Sequence, residues 1–197
     1  MSKPPMGQSA LTFHPLTPER WGDFEALFGV RGACGGCWCM YWRLFRLAFS
    51  IGKGEGNRRA MQKLVRAGTE PGILAYDGER PVGWCAVAPR EEYVRLTAAR
   101  TLKPIDTQPV WSIVCLFVDK GYRRRNVSTE LIRAAAAFAC ARGARIVEGY
   151  PYDYRGRAKH QPPPFVYTGL IQAFERAGFV EVARPSKSRA IVRLTRR

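Results

Sequence analysis

Three consecutive arginines, Arg123, Arg124 and Arg125, stand between an apolar run and an alanine-rich one, and that placement defines a site for anions. Residues 110–118, VWSIVCLFV, read as a strand. Residues 127–142 read as a helix with Leu131, Ile132, Ala135, Phe138 and Ala139 on one side. The link between them opens directly onto the helix N-terminus, where unpaired backbone N–H groups and a partial positive charge attract anions. Guanidinium groups at the same spot match phosphate. A phosphorylated ligand is expected there.

A second group of reactive residues lies in residues 31–43. Cys34, Cys37 and Cys39 offer three thiols to a metal, whereas a tetrahedral structural zinc wants four ligands. His14 or His160 would have to come from elsewhere, and no metal is expected. Trp38, Tyr41 and Trp42 in the same segment make an aromatic wall, with Gly35 and Gly36 allowing a sharp bend. Cys85, Cys115 and Cys140 lie within apolar patterns, where cysteine behaves as a small hydrophobe. The six cysteines read as reduced thiols of a cytoplasmic protein.

The elements that must position these residues follow from punctuation and periodicity. Residues 1–10 read as a flexible tail and 11–197 as one domain. A strand at 11–15 precedes a helix started by Thr17, Pro18 and Glu19, with Trp21, Phe24, Leu27 and Phe28 on one face. A second helix spans about 57–67. Residues 73–76 and 81–87 form a hairpin about Asp77-Gly78. After the strand and helix around the arginines come a strand at 145–149, a Pro-rich insertion at 151–166 and a helix at 167–177. Strands at 179–183 and 190–194 follow. The insertion carries Arg155, Arg157, Lys159 and His160 and exceeds the usual connection of about 4–6 residues, as a lid or binding loop would.

No run approaches the ~20 apolar residues that cross a bilayer, and no membrane partner is expected. The net charge is +16, with 17 Lys/Arg against 6 Asp/Glu from residue 119 onward and 15 against 10 before it. This asymmetry reads either as a solvated Arg-rich surface or as a field for a polyanion such as tRNA.

The order of elements, the 123–128 turn RRRNVS and the stretch LIQAFERAGF at 170–179 together resemble the GNAT superfamily of N-acetyltransferases across nearly all of residues 11–194. The resemblance implies an α/β (α+β) fold: a mixed, mostly antiparallel central sheet with a V-shaped splay, flanked by helices. It implies that Arg123, Arg124, Arg125, Asn126, Val127, Ser128 and Thr129 bind the pyrophosphate of acetyl-CoA or another acyl-CoA. Leu116, Phe117 and Val118 would pair with the pantetheine arm. The family turn has small residues where this chain has Asn126 and Ser128; asparagine tolerates the left-handed region, and Ser128 can cap the helix.

Acyl transfer to an amine needs a neutral amine, donors for the oxyanion and a proton for the leaving group. Glu148 is the candidate base or water-positioning residue, or else a strand carboxylate paired with an arginine. Phe174 stands where many relatives have a proton-donating tyrosine, so Tyr167, seven positions earlier on the same helix, is the alternative hydroxyl. Trp38, Tyr41, Trp42 and Tyr152 are expected to line the acceptor pocket, with Tyr150 and Tyr154 also near its mouth. The expected activity is an N-acyltransferase acting on an amine-bearing small molecule or macromolecule. The alternatives are a GNAT-fold enzyme that uses aminoacyl-tRNA as acyl donor or acceptor, and an inactive tRNA- or anion-binding module. A homodimer is compatible with each.

Overall fold

The structure, a computed structural model, describes residues 10–155 and 166–196. Most of the expected N-terminal tail, and Arg157, Lys159 and His160 of the Pro-rich insertion, lie outside the described residues. Strands β1 (Thr12–Pro15), β2 (Gly72–Asp77), β3 (Arg80–Pro89), β4 (Trp111–Val118), β5 (Ile146–Gly149), β6 (Val180–Ser186) and β7 (Arg189–Thr195) form one seven-stranded sheet. Its order is β1-β2-β3-β4-β5-β7-β6. The helices are α1 (Trp21–Phe28), α2 (Arg46–Ile51), α3 (Glu55–Arg66), α4 (Val94–Thr97), α5 (Val127–Ala141) and α6 (Ile171–Arg176). β4 and β5 pair in parallel, as their connection through α5 requires, and the other neighbouring strands of the sheet are antiparallel.

Each face of the sheet has its own core. On one, Trp21, Phe24, Phe28, Trp38 and Met61 pack against Trp84 of β3. On the other, Leu131, Ile132 and Ala135 of α5 meet Val82, Cys85 and Val87 together with Ile171 and Phe174 of α6. Each large side chain so buried contributes about 1.5–3 kcal/mol before the entropy of ordering is subtracted. Alternation along β3 sends Trp84 to one core and Cys85 to the other, so register and burial support each other.

One irregularity shapes the centre of the sheet. The β3–β4 register passes from Ala86↔Cys115 to Val87↔Ile113, leaving Val114 as an extra residue on β4. Such a bulge bends its strand and disrupts pairing. Pairing with β5 stops at Ile113↔Gly149, while β4 runs on to Val118. The two strands therefore splay apart, as the fold resemblance implies.

One expectation about helices needs correcting, and one helix was not anticipated. α6 starts at Ile171, not 167, because Gly169 adopts φ +88° and Leu170 is extended. Tyr167 and Phe174 thus do not share a helix. The short α2 has no counterpart in the sequence reading: it buries only Phe49 and leaves Leu47 and Ile51 exposed, so it has no amphipathic pattern to detect.

The chain after β5 is held by Asp153, which accepts from Arg155 N at 3.0 Å, from the Arg155 guanidinium, and from Arg184 Nη2 of β6 at 3.0 Å. The Arg155 contact, reinforced by Arg184, draws the Asp153 pKa down to about 2. A depressed carboxyl pKa stabilises the fold above the unfolded value and ceases to do so as pH falls through the folded one. Asp153→Asn is expected to lower the urea midpoint at pH 7, by an amount equivalent to about 1–2 kcal/mol. The gap between wild type and variant should close between about pH 4 and pH 2; a gap constant over that range would show that the Asp153 charge is not responsible.

Candidate active site

The outer half of β4 presents its backbone to the splay. Asp119 N donates to Val82 O, so alternation turns the odd residues of this stretch toward β3 and the even ones, Leu116 and Val118, toward the gap. Phe117, expected along the pantetheine arm, is corrected accordingly: its backbone belongs to the β3 ladder and its ring packs 5.4 Å from that of Phe28. Leu116 N donates to Tyr167 O at 2.6 Å. The carbonyl of the bulged Val114 accepts from Trp42 Nε1 at 3.1 Å. Arg123 Nε donates to Val118 O at 3.2 Å.

Beyond β4 the chain turns through a short 3-10 segment, Lys120–Tyr122, in which Asp119 accepts from Gly121 N at 2.8 Å. Arg124 and Asn126 then take left-handed backbone, φ +62° and φ +61°. This is the conformation that asparagine tolerates better than most residues. Asn126, not Ser128, is the N-cap of α5, and it caps without a side-chain bond. Its carbonyl accepts from Thr129 N and Glu130 N, while Val127 N and Ser128 N have no partner inside the helix. Arg123, Arg124 and Arg125 are exposed around these amides. Thr129 drops out of the expected set: it is buried, its N–H is engaged by Asn126, and its hydroxyl accepts from Arg176 Nε at 3.4 Å.

Glu148 is placed differently from a base at a cleft mouth. It is 1% exposed and accepts from Arg90 Nη1 (3.1 Å), Tyr150 Oη (2.6 Å) and Arg193 Nε (2.8 Å). Both carboxylate oxygens are aimed at protein donors, and a base needs one aimed at substrate. Tyr150, expected beside the cleft, is fully buried in this network, with Ser112 Oγ 2.9 Å from its hydroxyl. Arg90 also reaches Leu102 O, and Arg193 reaches Asp106, so the network fastens the 90–107 connection beneath the sheet.

The expected acceptor wall divides. Trp38 belongs to the core, 4% exposed and stacked on Phe28 at 5.8 Å. Tyr152 is likewise buried, its N–H bonded to Gly169 O and its ring beside Arg189. Tyr41, half-buried, and Trp42, 9% exposed and part of the same core as Trp38, come together with Tyr167, at ring distances of 5.9 Å and 6.5 Å. Burial and the neighbouring Tyr41 push the Tyr167 hydroxyl above the ordinary tyrosine range, so it stays protonated at neutral pH. Phe174 is buried in the other core, against Phe179.

Cysteines border this site without forming a metal cradle. Among the described residues no group of three or more His, Cys, Asp or Glu is arranged to hold a metal ion. Cys34 is exposed, Cys37 half-buried and Cys39 buried. Cys39 Sγ accepts from Trp84 Nε1 at 3.1 Å. Burial and the nearby Cys39 push the Cys37 thiol up to about 11. A hydrogen bond shared with Cys39, together with burial, pushes Cys115 well above the ordinary thiol range. It is thus held as a thiol, as expected of a residue packed against the core.

A model of the acetyltransferase (GNAT) family matches residues 38–151, more than half of the chain. No curated protein matches significantly in sequence. Among solved structures, a GNAT-family acetyltransferase from Streptococcus agalactiae superposes with a TM-score of 0.56 at 11% identity, over 95% of this chain and 96% of its own. The PaiA N-acetyltransferase of Thermoplasma acidophilum, solved in complex with coenzyme A, gives 0.53 at 10% identity, over 95% and 100%. An acetyltransferase from Thermus thermophilus gives 0.51 at 17% identity, over 96% and 99%. These likenesses concern the fold, and the family model, spanning the aromatic segment, the bulged strand and the cationic turn, concerns the sequence. The chain belongs to the GNAT acetyltransferase family.

Proposed function

We propose that the protein transfers an acetyl group from acetyl-CoA to an amine. One observation carries this reading: the splay of β4 from β5 lies beside a cationic, left-handed turn that ends at the N-terminus of α5. The donor fits these residues. Arg123, Arg124 and Arg125, with the backbone of Asn126, Val127 and Ser128, would hold its pyrophosphate. Leu116 and Val118 would face its pantetheine arm. When bound, acetyl-CoA supplies the activated carbonyl that an amine attacks.

The protein's own contributions are orientation and a proton. Trp42, fixed to the bulge carbonyl, and Tyr41 form the wall against which the acceptor lies. The Leu116 N–H, engaged by Tyr167 O, is the contact an entering donor must exchange for its own. Tyr167 keeps its hydroxyl proton at neutral pH, available to a departing thiolate. Glu148 is assigned a positioning role, holding Arg90 and Arg193.

Calorimetric titration with acetyl-CoA tests the reading, with micromolar binding as the expected result. No binding at millimolar coenzyme, combined with tRNA binding that falls steeply with salt, would transfer support to the tRNA alternatives. Tyr167→Phe keeps the backbone carbonyl and removes the proton. It should lower kcat about 100-fold, the low end for a general acid, with little change in the KM for acetyl-CoA. An unchanged kcat would assign the proton to another group.

A further inference from the structure

Beside the splay, residues 41–46 and 95–102 enclose an open cleft of about 520 Å³. Tyr41, Trp42 and Phe45 give it an apolar wall, and Arg46, Arg95 and Arg100 give it three cations; no carboxylate among the described residues lines it. Trp42 is the link to the chemistry, since its indole also donates to the carbonyl of the β4 bulge.

Arg95 is the residue that this arrangement singles out. Its backbone N–H donates to Trp42 O at 3.1 Å and its Nε to Leu44 O at 2.9 Å. Its guanidinium lies 4.3 Å from the centre of the Tyr41 ring and 5.1 Å from that of Phe49. So held, the side chain has already lost the rotamer freedom that binding would otherwise remove. Yet its Nη2 is buried and, among the described residues, makes no hydrogen bond. A buried donor on a charged group without an acceptor is unfavourable, and because Arg95 lines the cleft, a small turn of its guanidinium would bring that donor to an anionic ligand there. Arg46 and Arg100 are exposed and form no ion pair among the described residues, leaving the rim of the cleft electropositive.

We infer that this cleft selects acceptor amines that carry an anionic group beside an apolar body, with Arg95 reading the anion and Tyr41, Trp42 and Phe45 the apolar part. Carboxylate and phosphoryl groups share the required chemistry, since a planar guanidinium accepts either. The inference rests on the acetyltransferase reading for the word acceptor, but its test does not need turnover.

The test is calorimetric titration of the full-length protein, without coenzyme, with four amines. L-phenylalanine and its phosphonate analogue, 1-amino-2-phenylethylphosphonic acid, carry both features; 2-phenylethylamine lacks the anion and glycine lacks the apolar body. At least one of the two anionic aromatic amines should bind tenfold or more tightly than 2-phenylethylamine and than glycine, and the tighter of the two identifies the anion. Arg95→Gln should bring the preference over 2-phenylethylamine to about twofold or less. If that variant does not fold, the double variant Arg46→Gln, Arg100→Gln should at least halve the preference. A preference below tenfold, a preference that survives these changes, or no binding by any of the four overturns the inference. Acetyl-CoA titrated separately tells this failure from a failure of the acetyltransferase reading, because a protein unable to bind coenzyme can still rank the amines.

Discussion

Replacing Glu148 with alanine is expected to destabilise the protein by roughly 3–5 kcal/mol, the range for breaking a buried ion pair by removing one partner. The reason is what remains. Arg90 and Arg193 have side chains that are about nine-tenths buried, and both lean on the Glu148 carboxylate. Arg193 keeps a second carboxylate, Asp106, at 2.6 Å. Among the described residues Arg90 keeps only carbonyls and the Tyr150 hydroxyl. The variant therefore contains a buried cation with no counter-charge, directly under the connection that carries Arg95. Urea unfolding monitored by tryptophan fluorescence reads the loss. An alanine variant with the urea midpoint of wild type would show that the network contributes little to stability. A milder substitution separates the two roles considered for this residue. A positioning role predicts that the folded fraction of Glu148→Gln keeps most of its kcat and a similar pH profile. A base would instead take down kcat and remove the limb of the pH profile that its ionisation sets.

Much of the fold was legible because its signals are local and repeated. The β2–β3 hairpin and the long β4 are apolar runs with clear stops and α5 has a helical period, and the structure buries β2 and β3 almost throughout, the first half of β4 and most of the expected face of α5. The bulge at Val114 was not legible, since a single extra residue in an otherwise apolar strand leaves the sequence pattern almost unchanged. Nor was the start of α6. A helical reading from Tyr167 is reasonable by composition, and only the left-handed Gly169 cuts it short.

The candidate site shows the same division at finer grain. The arginine turn is contiguous in sequence, and its left-handed residue Asn126 can be read from the tolerance of asparagine for that region. The buried network cannot be read that way, because Arg90, Ser112, Glu148, Tyr150 and Arg193 come from four separate segments. An arginine preceding a helix and another inside a strand look like solvated surface until the sheet order brings both to Glu148. Trp38 and Trp42 illustrate the limit most directly. They are four residues apart in one aromatic segment and both are buried in the same core, yet across the two consecutive positive-φ residues, Trp38 and Cys39, their partners diverge: Trp38 stacks on Phe28, and the Trp42 indole donates to the bulge carbonyl of β4.

Neutralising the turn by Arg123→Gln, Arg124→Gln and Arg125→Gln together should raise the Kd for acetyl-CoA by about 10³-fold at low ionic strength. A hydrogen bond to a charged group contributes about 1.5–3 kcal/mol, and the three side chains surround amides that a pyrophosphate would also engage. The amides alone would remain in the variant, which is why binding should weaken without vanishing. The three sites are not equivalent: Arg123 already donates to Val118 O, and Arg125 lies 5.3 Å from the centre of the Tyr122 ring. Arg124, exposed and with its own backbone left-handed, should carry the largest single effect. The difference between wild type and the triple variant should shrink as salt rises from about 50 mM to about 500 mM, because exposed charges are screened over about 4–14 Å in that range. Stability should hardly change, since all three side chains are exposed. A triple variant that binds acetyl-CoA as tightly as wild type would move the phosphate site away from the N-terminus of α5, and the acetyltransferase reading would then lose its principal support.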